Sequence, residues 1–188
     1  MAFIRKSGKP KSADASHQGE VSSADERFTV DQLLALAKQY EVDVSPLDVK
    51  ALLSALGIRL LSVPMSDDVS GMLSLADNGK DWVVKVNALH HPNRQRFTIA
   101  HEIAHFSRHR FQQVEFKDLN FFRNGESNPM EVEANRFASE LLMPESAFRD
   151  KVKVLSGSIE EIALYFKVST LAVRVRAKNL GMKGHGLE

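Results

Sequence analysis

The stretch RFTIAHEIAHF, Arg96–Phe106, decides how this chain is read. Ile99, Ala100, Ile103, Ala104 and Phe106 give it the apolar repeat of a buried helix. Yet His101, Glu102 and His105 stand in its middle. A buried polar group without a partner costs about 1–3 kcal/mol, so three of them so close together need partners or a chemical task. On a helix, His101 and His105 project from one face, one turn apart, and both imidazoles can reach a single metal ion. Glu102 lies about 100° round from His101. It is badly placed to complete a ligand set and well placed to take a proton from a water beside the ion.

His-Glu-x-x-His on a helix is the zinc-peptidase pattern for these reasons. Such a site needs a third protein ligand and keeps one position open. His109 continues the register of His101 and His105, but it sits about 12 Å along an unbroken helix from His101 and is a poor ligand for the same ion. Glu131 and Glu133 lie in PMEVEANRFASELLMP, which reads as a helix between two prolines. At about 100° per residue, Glu131 shares a face with Ala134, Ala138, Leu141 and Leu142, whereas Glu133 falls with Arg136 and Glu140 on the polar side. A carboxylate on a buried face requires a partner. Glu131 is therefore the expected third ligand and Glu133 is expected to face solvent. Asn135, one turn after Glu131, is expected to accept a hydrogen bond from a ligand imidazole. The small Ala134 and Ala138 allow close approach to the His-bearing helix. Zinc suits two imidazoles and a carboxylate, and other divalent ions such as Mn2+ are tolerated by the same donors.

The rest of the chain sets the frame. It has 188 residues, 43% of them hydrophobic, a formal net charge of +1 and no cysteine. Disulfides and thiolate ligands are excluded, and net charge makes no case for nucleic acid. No run is long enough to span a bilayer and no signal-type apolar segment opens the chain, so a cytoplasmic location is expected.

Residues 1–27 are rich in Ser, Lys, Asp and Glu and read as a disordered polar tail. Residues 28–188 read as one α+β domain. TVDQLLALAKQY and SPLDVKALLSALG are two short helices, the second with Ser45 as N-cap, Pro46 as its first residue and Gly57 as its stop. IRLLSV, SGMLSLA and DWVVKVN are strands, the last two joined by the hairpin signal DNGK. The expected sheet is thus small, three-stranded and mostly antiparallel, packed against a helical bundle that carries the His-bearing helix. FKDLNFFRNGESNP is read as a loop. The closing helix pair, about 158–180, carries Arg174, Arg176 and Lys178 on its second member, as a DNA-reading pair would. Leu171, Val173, Val175 and Leu180 favour packing within the domain instead. His90 and His91 are read as solvated residues at a helix entry, ahead of a role in substrate or oxyanion binding. His109 has a comparable secondary standing as a transition-state donor.

RFTIAHEIAHF followed by EVEANRFASELLMP closely resembles the ImmA/IrrE family of metallopeptidases. DVSGML, NALHHPNRQRF and IALYFKVSTLAVRVRAKNLG are similar to it as well, so the resemblance covers roughly residues 45–182. It implies a zincin-like domain in which His101, His105 and Glu131 hold the metal and Glu102 is the catalytic base. It further implies a protein substrate, a helix-turn-helix repressor whose cleavage relieves repression. Several members carry a fused sensor or DNA-binding domain; here only a short polar tail precedes the catalytic region, so control from outside the chain is expected. Two rival readings remain: an anti-repressor that acts by binding without proteolysis, and a DNA-binding regulator that uses the C-terminal helices.

Overall fold

The computed structural model describes residues 27–119 and 128–182. Apart from Arg27, the expected tail lies outside the described residues. The elements run α1 (Val30–Gln39), α2 (Val49–Ala55), β1 (Arg59–Val63), β2 (Val69–Leu75), β3 (Trp82–Asn87), α3 (Pro92–Arg108), β4 (Glu115–Leu119), α4 (Pro129–Leu142), α5 (Glu145–Val154), α6 (Ile159–Phe166) and α7 (Thr170–Asn179).

Local chemistry starts and stops these elements. Thr29 and Gln32 form a reciprocal capping box at the head of α1. Asp48, not Ser45, caps α2, because its carboxylate reaches the amides of Lys50 and Ala51. Ser45 lies in the preceding turn, and its hydroxyl is 2.7 Å from that of Tyr165. In the β2–β3 hairpin, Asn78 accepts from the amides of Lys80 and Asp81, and Gly79 takes the positive φ the turn requires. Pro92 opens α3 at a position where its missing N–H costs nothing, and the His91 ring caps that helix by accepting from the Asn93 amide.

The sheet departs from the expected one in two respects. It has four strands in the order β1-β3-β2-β4, and β1 pairs with β3 in parallel, so the sheet is mixed. The additional strand, β4, falls where a loop is read. It is an edge strand in which Phe116 turns into the core between the exposed Glu115 and Lys117. α5 is likewise not read from sequence. Phe148 and Val152, one turn apart, are its only buried residues in a charged segment.

Helix α3 is the centre of the molecule. Nine of its seventeen residues are buried, including the continuous run Thr98–His105, which leaves no solvent face along that stretch. The sheet lies on one side, with β2 crossing most closely, and α4 on the other. Ala100, Ala104, Ala134 and Ala138 are all fully buried at this helix pair, so small side chains permit the close approach read from the sequence. The C-terminal pair is tied into the same body: Asn93 donates to the Val168 carbonyl, Arg96 to that of Phe166, and Arg149 to that of Leu180. Arg176 is buried and donates to the Met143 carbonyl, so one of the three basic residues of α7 braces the fold.

Candidate metal centre

α3 and α4 bring His101, His105 and Glu131 together, with their ligand atoms within 4.8 Å of one another. The two Nε2 atoms are 2.9 Å apart. Glu131 Oε2 lies 3.0 Å from His101 Nε2, and Oε1 lies 3.4 Å from His105 Nε2. Donors about 2.0–2.1 Å from a tetrahedral zinc stand roughly 3.3 Å from each other, so the spacing suits one ion. A further observation tests the fit. Glu131 Oε2 is buried and makes no hydrogen bond among the described residues, despite its closeness to His101. A buried carboxylate oxygen in that state is one a cation would satisfy.

The protonation states agree with that use. Burial lowers the pKa of His105 below its ordinary value, against the opposing pull of Glu131. Burial pushes the Glu131 carboxyl up, but the two imidazoles outweigh it and hold its pKa at about 2. A neutral His105 and an ionised Glu131 are the forms that bind metal.

The surroundings orient the ligands. Asn135 Oδ1 lies 3.1 Å from His101 Nδ1. Phe116 of β4 stacks on the His105 ring at 4.7 Å, which brings an edge strand of the sheet against the site. Glu133 is 46% exposed and points away from the cluster toward the end of α3, where Arg108 Nε donates to it at 2.8 Å. That guanidinium holds the Glu133 carboxyl below the usual range. His109 is buried behind His105 and does not join the cluster. His91 is spent on the helix cap, and His90 is buried in the β3–α3 loop with its Nε2 3.4 Å from Asn87 Nδ2.

Glu102 is fully buried on α3, and β2 passes directly over it. Gly71 makes that passage possible. A Cβ there would lie 2.4 Å from Thr98 Cγ2 and 3.0 Å from Glu102 Oε1. Sequence reasoning does not find this role, although a glycine inside a strand is a general sign of close backbone approach. Gly71→Ala should cost about 1–3 kcal/mol through overpacking and displace the Glu102 carboxylate. Thr98→Ser removes the methyl in conflict, so the double variant should regain most of the lost melting temperature and less of any lost activity. A Gly71→Ala protein as stable as the parent would contradict the contact.

The family model Peptidase_M78, the IrrE N-terminal-like domain, matches residues 53–178. No curated protein matches the chain. Among solved structures, a Mycobacterium tuberculosis transcriptional regulator is similar in fold, with a TM-score of 0.56 at 18% identity over 82% of this chain. The alignment takes in 49% of that protein, so this chain spans about half its length. A family match that includes the His-bearing helix, the Glu131 helix and the sheet packed on α3 leaves one conclusion: this chain belongs to the ImmA/IrrE family of metallopeptidases, Peptidase_M78.

Proposed function

We propose that this protein is a zinc-dependent endopeptidase that cleaves a cytoplasmic helix-turn-helix repressor and so relieves repression. The observation that carries the reading is the convergence of His101, His105 and Glu131, with Glu102 buried one residue from the first ligand. A metal site that served structure alone has no need of a carboxylate there.

In this reading His101, His105 and Glu131 hold the ion, and Asn135 fixes the His101 ring. A divalent ion in such a site supplies Lewis acidity, which polarises a carbonyl and lowers the pKa of water to about 7. Glu102 takes the proton from the attacking water and hands it to the leaving amine, as a general base and then a general acid. Strand β4 is the edge next to His105, and an extended substrate segment can add to it by main-chain hydrogen bonds. An exposed linker of the substrate meets that demand more easily than a folded helix does.

The repressor assignment rests on the family and is supported by the fold shared with a transcriptional regulator. Among the described residues, no helix is long and apolar enough to cross a membrane. Purified protein, zinc and a helix-turn-helix repressor, sought first among the products of neighbouring genes, should yield a single defined cut by mass spectrometry, absent with Glu102→Gln. A stable complex of the two proteins with no cut under any metal condition would overturn proteolysis in favour of inhibition by binding. A salt-dependent gel shift by this protein alone would favour the DNA-binding reading of α6 and α7.

A further inference from the structure

His109 ends α3 as its C-cap and is 2% exposed, yet it is not a member of the ligand cluster. A buried imidazole needs partners for its ring nitrogens, and here each has one. Nε2 lies 3.4 Å from Glu133 Oε2, and Nδ1 lies 3.0 Å from His105 Nδ1. The other Glu133 oxygen accepts from Arg108.

These contacts fix the direction of the hydrogen bonds. An ionised carboxylate only accepts, so the His109 nitrogen that faces Glu133 carries the hydrogen. In the neutral ring, the form that burial favours for His109, Nδ1 is then a lone pair. The His105 nitrogen opposite it must donate, which leaves the lone pair of His105 on Nε2, the atom turned toward His101 and Glu131. With the opposite polarity, His109 would present a lone pair to a carboxylate and His105 would lose its free Nε2. His101 has a simpler support, the Asn135 amide. For His105 the support is another imidazole, which is ambiguous by itself, and Glu133 removes the ambiguity.

We propose that His109 and Glu133 are positioning residues of the metal centre, selecting the His105 tautomer that binds through Nε2 and locking its ring against Phe116. The proposal rests on the metal-site reading above. Glu133 touches no ligand; it acts through His109. Supporting partners of this kind are generally worth about 10–100-fold in metal affinity.

The test uses the full chain and zinc ion, with affinity read by chelator competition and stability by the melting temperature of the metal-free protein. His109→Phe keeps an aromatic ring beside Phe116 but removes the acceptor. It should melt near the parent and bind zinc about 10–100-fold more weakly. His109→Gln offers an amide oxygen to His105 and an amide N–H to Glu133, and should recover most of the affinity. In the zinc-loaded parent, nitrogen NMR should find His109 in the Nε2–H form, a measurement that does not depend on whether any variant folds. Parent-like affinity in His109→Phe, equal weakening by Phe and Gln, or an Nδ1–H form of His109 would each overturn the proposal while leaving the metal site standing. A parent chain that binds no zinc would instead overturn the metal-site reading, and this one with it.

Discussion

Glu102→Gln should fold, load its metal and lose turnover by about 10²–10⁴-fold, the usual weight of a general base. The substitution keeps the shape of a fully buried side chain beneath Gly71, so packing against β2 is preserved. It removes only the ability to accept a proton. Three measurements on one preparation separate the possibilities: metal content, melting temperature, and the rate at which repressor is cut. Parent-like metal and melting with cutting reduced by those orders of magnitude is the expected pattern. If the variant relieves repression in cells as well as the parent does, proteolysis is not how this protein works. If it fails to fold, the carboxylate is a structural element of the α3–β2 packing.

The second large effect belongs to Glu131. Glu131→Ala leaves two imidazoles without the only acidic member of the cluster. The fall in zinc affinity should exceed the roughly 10–100-fold that a merely supporting partner contributes. The carboxylate also brings negative charge into a buried site, and with its pKa held at about 2 it keeps that charge at neutral pH. Glu133→Ala provides the contrast: two residues along the same helix, it should still hold one equivalent of metal at saturating zinc. Metal analysis of both proteins, purified without chelator, decides. If Glu133→Ala emptied the site and Glu131→Ala did not, the ligand would be on the other face of α4.

The sequence alone carries the features that depend on one helix at a time. His101, Glu102 and His105 can be placed because helical geometry relates residues a turn apart without reference to the rest of the chain. The difference between Glu131 and Glu133 is legible for the same reason: one shares a face with Ala134 and Ala138, the other does not, and the structure turns them accordingly. Capping shows the limit of local reading. Ser45-Pro46 reads as the start of α2, but Asp48 caps it, because its carboxylate reaches two amides while Ser45 lies in the preceding turn.

What the tertiary structure decided are the pairings between distant segments. The parallel match of β1 with β3 and the order of the sheet have no signature in either strand, since strand periodicity specifies a face and not a neighbour. In β4 Phe116 is buried between two exposed charged residues, and α5 buries only Phe148 and Val152, too little apolar pattern to mark either element. The closeness of Gly71 to Glu102 and the direction of the His105–His109–Glu133 contacts exist only once α3, α4 and β2 have docked. Local spacing named the groups able to do chemistry. Their hydrogen-bond directions and their distances to one another were set by packing, because those depend on atoms that come from elsewhere in the chain.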